Sequence, residues 1–121
     1  MTIKPDGSEL SKIRLYGSEP DWFPNGKWIA FSGLVDGYKP YTFNIHIMRP
    51  DGTGVRQITH HQTGGASGPS WSNDSTKIAY YVFEDGREHQ IWIVDVASGK
   101  QTQLAVDGVS PIWTPTNEIV F

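Results

Sequence analysis

The sequence predicts an all-β domain, and three observations support this. Aromatic residues are abundant, with five Trp, five Tyr and five Phe among 121 residues, and such residues favour strands over helices. The apolar runs are short, and 13 Gly and 8 Pro provide frequent turns between them. Turn-forming Asn-Gly and Asp-Gly pairs bound these runs at 25–26, 36–37, 51–52 and 85–86. Short strands joined by tight turns therefore fit the sequence better than helices do.

A repeat sets the order of these strands. Each unit opens with a Pro-x-Trp frame, found at 20–22, 69–71 and 111–113. A polar turn and a short apolar strand follow each frame, the strands lying at 28–31, 77–80 and 118–121. The first two units continue into matching third strands at 44–48 and 90–94, and into fourth strands at 55–58 and 101–104. Two units thus have four strands each, and the third has two.

The N-terminal residues match the half that the third unit lacks. Residues 2–7 resemble 47–52, and residues 12–13 resemble 57–58. The chain is therefore expected to form a single β-sheet segment with three unit equivalents. Its parts are 1–17, the second half of a split unit; 18–66 and 67–108, two complete units; and 109–121, the first half of the split unit.

The residue pattern of the first complete unit is typical of a known class of repeat. Residues 22–31 read Trp-Phe-Pro-Asn-Gly-Lys-Trp-Ile-Ala-Phe, and residues 47–59 read Ile-Met-Arg-Pro-Asp-Gly-Thr-Gly-Val-Arg-Gln-Ile-Thr. This pattern resembles the TolB-type β-propeller repeat, a WD-like repeat, over essentially the whole chain. The second unit departs from it in two turns, with Asn-Asp-Ser at 73–75 and Ala-Ser-Gly at 97–99. The resemblance implies blades of four antiparallel strands around a channel, with the first strand innermost.

The count of blades predicts a dimer. Closed propellers have about four to eight blades, so three blades cannot close a ring and two chains would supply six. Residues 1–14 of one chain offer the strand pair that residues 111–121 of another lack, and strand addition would join them. We therefore expect a two-fold homodimer that forms one six-bladed propeller by reciprocal exchange of half-blades.

Residues that recur at one repeat position are expected to pack within or between blades. These blade-core residues are Trp22, Trp71, Trp113, Ile29, Ile78 and Ile119. Side chains alternate along a strand, so Asp21 and Ser70, one residue before a Trp, are candidates for the channel lining. An Asp21 pair near a two-fold axis would suit a cation, whereas Asp after Pro also serves as a turn or cap residue.

Candidate ligand or partner contacts lie on the loops of one face, where a rigid scaffold can position them. The link between the two complete units is four residues longer than its equivalents and carries the adjacent pair His60 and His61. Such a pair suits a metal or an acidic partner, although adjacent side chains of an extended segment point apart. Tyr at a loop tip is a common interface anchor. The other candidates on this face are Leu34, Tyr38, Tyr41 and Arg87.

Composition narrows the function. The absence of Cys removes disulfides, zinc–thiolate sites and thiol catalysis. The net charge of −3 comes without a basic stretch, and the apolar runs are too short to cross a membrane. The N-terminal residues contain no apolar run typical of a signal peptide, so none is expected. Motifs for hydrolase nucleophiles, zinc proteases and phosphate loops are missing. We expect no nucleic-acid partner, no membrane insertion, no cofactor, no metal and no enzyme activity.

The leading hypothesis is a non-enzymatic scaffold that binds a protein or peptide. The resemblance leaves alternatives open: a fragment of a longer propeller that serves a peptidase or hydrolase, a polysaccharide lyase that uses a His-bound metal, or an engineered half-propeller without a native function. Similar proteins work in the bacterial periplasm, but no signal peptide is expected here, so the compartment stays open.

Overall fold

The computed structural model describes residues 13–15, 21–22, 26–35 and 42–121. Their regular structure is entirely β, as predicted, and the described residues contain no helix long and apolar enough to cross a membrane. The strands are β1 (Ile13–Leu15), β2 (Asp21–Trp22), β3 (Ile29–Val35), β4 (Asn44–Met48), β5 (Arg56–Gln57), β6 (Gly65–Trp71), β7 (Lys77–Phe83), β8 (Gln90–Asp95), β9 (Gln101–Val106), β10 (Ile112–Trp113) and β11 (Ile119–Val120).

The second sheet is a complete four-stranded antiparallel blade. Its strand order is β6-β7-β8-β9, which is also the order along the chain. The register of β6 against β7 shifts between Ser67 and Ser70, where β6 bulges. β6 begins at Gly65, two residues before the boundary that the repeat predicts.

The first sheet contains the equivalent strands β2-β3-β4-β5 and one addition. β2 pairs with the start of β3, and β1 pairs with its end, so that both lie on the same side of β3. Together they take the place that β6 has beside β7. The repeat assigned Ile13–Leu15 to the second half of a split unit, and in the structure this segment pairs with the backbone of Gly33–Val35 in β3.

The third sheet has two antiparallel strands, β10 and β11. Ile112 lies opposite Val120, and Trp113 lies opposite Ile119. These strands fall within residues 109–121, the predicted first half of the split unit. Residues 1–12 of its predicted second half lie outside the described residues, and completion to six blades remains a prediction.

The main hydrophobic core lies between the first and second blades. Ala30, Ile45 and Ile47 of the first blade pack against one face of the second blade, including Trp71, Ile78 and Tyr80. Polar contacts join the same two sheets: Ser32 Oγ donates to the Ala66 carbonyl at 2.8 Å, and the Ala66 N–H donates to the Phe43 carbonyl at 2.8 Å. The two blades therefore stack face to face, as successive propeller blades do.

The predicted core residues occupy different environments. Ile29, Trp71 and Ile78 are buried, and Trp113 and Ile119 are half-buried. Trp22 is 55% exposed within one chain, and its packing against a preceding blade stays a prediction. The reason for this exposure is its direction: it shares a face with Ile29, opposite to the face that meets the second blade.

Candidate functional site

The residue before each repeat Trp bonds to the following blade. Asp21 Oδ2 accepts a hydrogen bond from the Trp71 backbone N–H at 2.7 Å, and the Asp21 carbonyl accepts one from the Trp71 indole at 3.2 Å. At the next junction, Ser70 Oγ accepts a bond from the Trp113 backbone N–H at 3.2 Å. The structure shows both side chains as hydrogen-bond acceptors between blades, and their place in the channel lining stays a prediction.

The environment of Asp21 fits a structural role. Burial raises the pKa of its carboxyl, and the hydrogen bond from the Trp71 backbone opposes that rise. Within the described part of the chain, no group of three or more His, Asp or Glu side chains is placed to hold a metal ion. Among the described residues, Asp21 therefore belongs to no such group.

The corresponding position of the half-blade is occupied by an apolar residue. Ile112 is 62% exposed, and its cross-strand partner Val120 is 59% exposed. Both occupy the face through which Asp21 and Ser70 contact the blade that follows them. At the other end of the arc, Trp22 occupies the face through which a blade contacts the one before it, and it is exposed while Ile29, Phe31 and Met48 on that face are buried. The arc of blades thus has exposed apolar side chains at each end, a pair at the half-blade and a single Trp at the other end.

The two adjacent histidines lie in different surroundings. His60 is exposed, and its backbone N–H donates to Gln101 Oε1 at 2.7 Å. The ring of His61 is half-buried, with Nε2 2.8 Å from Tyr80 Oη and its centroid 4.8 Å from that of Trp92, in an edge-on contact. His61 therefore packs on the second blade, and the pair does not act as one site.

Burial also sets the protonation of this contact. It lowers the pKa of His61, the nearby Glu84 charge opposes that effect, and His60 adds to it. Burial raises the pKa of Tyr80. Both shifts favour the neutral forms of the two groups, whose hydrogen bond joins the blade link to β7.

The remaining loop-face candidates also differ in their exposure to solvent. Leu34 lies in β3 with 7% of its surface exposed, so it belongs to the packed interior and not to a loop. Tyr38 and Tyr41 lie outside the described residues. Arg87 follows β7 with 71% of its side chain exposed, and its Nε lies 3.4 Å from Glu84 Oε2. His60 and Arg87 are thus the predicted candidates that lie at the surface.

A cleft that sequence reasoning missed opens where the blade link meets the end of β7. Its volume is about 430 Å³, within the range of about 300–1,000 Å³ usual for small-ligand pockets. The Phe43 and Phe83 ring centroids lie 6.1 Å apart, and Thr63 Oγ1 donates to Glu84 Oε1 at 2.8 Å. The lining residues are Phe43, Thr63, Gly64, Phe83, Glu84 and Asp85. We call this feature the Phe43–Asp85 cleft.

Two glycines in the blade link shape the cleft. Gly64 has a φ of +71°, and a Cβ atom there would lie 2.2 Å from the Phe83 carbonyl oxygen. A Cβ atom at Gly65 would lie 2.5 Å from the Phe83 ring. The link therefore passes so close to the end of β7 that no larger residue fits. The Gly-Gly pair within the long link is the sequence signal for this close approach.

The chain is similar in sequence to parts of two longer proteins. It is 32% identical over 96 residues to the Protein TolB homolog of Chlorobium luteolum. This alignment covers 75% of this chain and 20% of that protein. It is 28% identical over 109 residues to the uncharacterized peptidase YuxL of Bacillus subtilis, covering 86% of this chain and 16% of that one. The chain thus spans a fifth or less of either relative. No protein-family model matches it.

Solved structures show the same fold. TolB from Acinetobacter baumannii superposes with a TM-score of 0.64 at 19% identity, over 87% of this chain and 25% of that one. The β-propeller domain of the Trilobed protease from Pyrococcus furiosus gives a TM-score of 0.63 at 21% identity, over 85% and 32% of the two chains. The units of this chain are TolB-like β-propeller repeats.

Proposed function

We propose that the chain is a non-enzymatic scaffold that binds a protein or peptide on the loop face of a β-propeller, and that two chains complete one six-bladed ring. The observation that carries the proposal is the presence of exposed apolar side chains at both ends of the arc. Trp22 at one end is 55% exposed, and Ile112 and Val120 at the other are 62% and 59% exposed. Adjoining exposed apolar side chains mark surfaces that a partner covers.

The two junctions within the chain support a second copy as that partner. Both use an acceptor one residue before a repeat Trp and a backbone N–H of the next repeat Trp. Continuing this rule beyond the half-blade sets Ile112 against the Trp22 face of another chain. That contact is apolar on both sides, so burial stabilises it by roughly 25 cal/mol for each Å² of apolar surface removed from water.

The free edge of the half-blade gives the second copy a further contact. β11 pairs with β10, and no other described strand pairs with it. An unpaired edge is a template for an added strand. Because Ile13–Leu15 pairs with β3 of its own chain, the exchanged segment would be drawn from residues 1–12.

The experiment is to place a charge on one end face. Ile112→Lys is expected to convert a dimer into a monomer in sedimentation equilibrium, because an ammonium group, which cannot accept a hydrogen bond from a Trp backbone N–H, would be buried against the Trp22 face. Val109→Lys is the matched control, since Val109 is also an exposed apolar residue, at 46%, but lies in the link before β10. Equal masses for wild type and Ile112→Lys would contradict the proposed ring.

A second candidate is favoured by the relationship to peptidases. The chain resembles the Bacillus subtilis peptidase over 16% of that protein and the propeller domain of the Trilobed protease over 32% of its length. In this case further blades of one longer polypeptide would cover both end faces. A monomeric or aggregated chain in solution would favour this candidate over the dimer.

A further inference from the structure

The Phe43–Asp85 cleft carries negative charge at its rim. Two of its six lining residues are acidic, Glu84 and Asp85. Asp85 is exposed, whereas the Glu84 side chain is only 21% exposed, and the Thr63 hydroxyl holds its Oε1 at 2.8 Å. The held carboxylate thus presents its second oxygen, Oε2, in a fixed direction.

The wall of the cleft is aromatic. The Phe43 and Phe83 rings are tilted by 42° at a centroid distance of 6.1 Å, and Tyr81 continues the row 6.2 Å from Phe83. Aromatic faces attract cations and also pack against the aliphatic stems of long basic side chains. A wall of this kind beside carboxylates favours an organic cation over a bare metal ion or an anion.

A neighbouring residue already shows that a cation fits here. The Arg87 Nε lies 3.4 Å from Glu84 Oε2, and 71% of the Arg87 side chain is exposed. An exposed ion pair of this kind contributes about 0–1 kcal/mol, so a ligand cation can displace it. Arg87 therefore contacts the same carboxylate oxygen that the ligand cation would contact, and it competes with that cation.

We propose that the Phe43–Asp85 cleft binds a basic side chain, lysine or arginine, of a protein or peptide partner. The aliphatic stem packs on Phe43 and Phe83, and the charged group bonds to Glu84 Oε2 and Asp85. This inference deepens the proposed binding role and rests on it. The cleft is formed within a single chain, so binding there does not require the completed ring.

The test is an NMR titration of the whole chain with Nα-acetyl-lysine amide and Nα-acetyl-arginine amide. Saturable shifts are expected for the backbone amides of Thr63, Gly64 and Phe83. Nα-acetyl-norleucine amide keeps the stem without the charge and is expected to cause much smaller shifts. Equal binding of the norleucine and basic amides, or no saturable shift with either basic amide, would overturn the proposal.

Variants of the rim give opposite expected results. Glu84→Gln retains an acceptor for Thr63 but loses the charge, and it should weaken binding about three- to fivefold, as should Asp85→Asn. Arg87→Gln removes the competitor and should strengthen binding by about twofold. Asp107→Asn, an exposed residue after β9, makes the same charge change elsewhere and should leave binding unchanged. Equal weakening by Asp107→Asn and Glu84→Gln would reduce the effect to net charge and overturn the site.

Failure here is distinguishable from failure of the proposed function. A dimer that does not bind the basic amides would leave the ring in place and remove this cleft as a recognition site. A monomer that binds them would support the cleft and contradict the ring.

Discussion

Asp21 shows how one residue joins two blades of this chain. Its position before a repeat Trp predicts that it points away from that Trp, which is correct. The alternation did not reveal the Trp71 backbone N–H, 2.7 Å away and 50 residues later in the sequence. A channel lining and a blade junction share the same strand period, so only the three-dimensional stacking of the sheets separates them.

Replacing this carboxylate tests its role. Asp21→Ala removes the acceptor from the Trp71 N–H at a half-buried position and should lower the free energy of unfolding by about 1–3 kcal/mol. Asp21→Asn keeps an acceptor oxygen and should lose less. Urea unfolding of the two variants measures both values. Wild-type stability in Asp21→Ala would contradict the bond's structural importance.

Two buried histidines make stability depend on pH. Burial lowers the pKa of both His46 and His61, and unfolding restores values near about 6.5. Below that pH the unfolded state binds more protons than the folded state, so stability falls as the pH decreases from about 7 toward 5.

Urea unfolding at several pH values measures this dependence. His61→Gln keeps a polar partner for Tyr80 and should flatten the slope, whereas His60→Gln removes only a minor contribution to the lowered pKa of His61 and should flatten it less. Asp74 does not contribute in this window, because hydrogen bonds from Ser72 and Thr76 lower its pKa to about 2. A constant free energy of unfolding across this pH range would contradict the assignment.

At the scale of turns and strands, one turn position has the same backbone conformation in all three units although its residue type differs. The fourth residue after each repeat Trp has a left-handed conformation: Gly26 at +73°, Ser75 at +64° and Asn117 at +64°. The second unit holds this turn with Asp74, whose Oδ1 accepts bonds from the Ser72 and Thr76 hydroxyls, both at 2.7 Å. The departures from the repeat pattern therefore preserve the turn.

Two loop glycines are expected to differ in how much their replacement by Ala lowers the free energy of unfolding. Gly64 and Gly86 both have positive φ, at +71° and +74°. A Cβ atom at Gly64 would meet the Phe83 backbone, whereas one at Gly86 would meet nothing within 4 Å. Gly86→Ala should cost about 1 kcal/mol from backbone strain alone, and Gly64→Ala about 2–4 kcal/mol with the added clash. Thermal unfolding compares them, and equal losses would contradict the close approach of the link to β7.

Strand order was predictable from the sequence, and some strand partners were not. The recurring Trp and the alternating apolar residues fixed the order β6-β7-β8-β9 before any contact was known. Ile13 resembled Ile58 in its local sequence, yet Ile13–Leu15 pairs with β3. The Phe43–Asp85 cleft was likewise hidden, because it joins residues from three separate segments whose closeness depends on Gly64 and Gly65.

At the scale of the whole molecule, the arc of blades has two ends that match each other. Trp22 presents the face by which a blade receives its predecessor, and Ile112 the face by which it receives its successor. Both side chains are more than half exposed. Joining two such arcs would cover both end faces at both junctions and leave the loop face, with the Phe43–Asp85 cleft, open to ligands.

The most direct test is the solution mass of the chain, measured by light scattering coupled to size exclusion over a hundredfold range of concentration. The proposed ring predicts a mass of twice 13.5 kDa that persists on dilution. A stable monomer of 13.5 kDa, or a polydisperse aggregate, would contradict a ring of two chains.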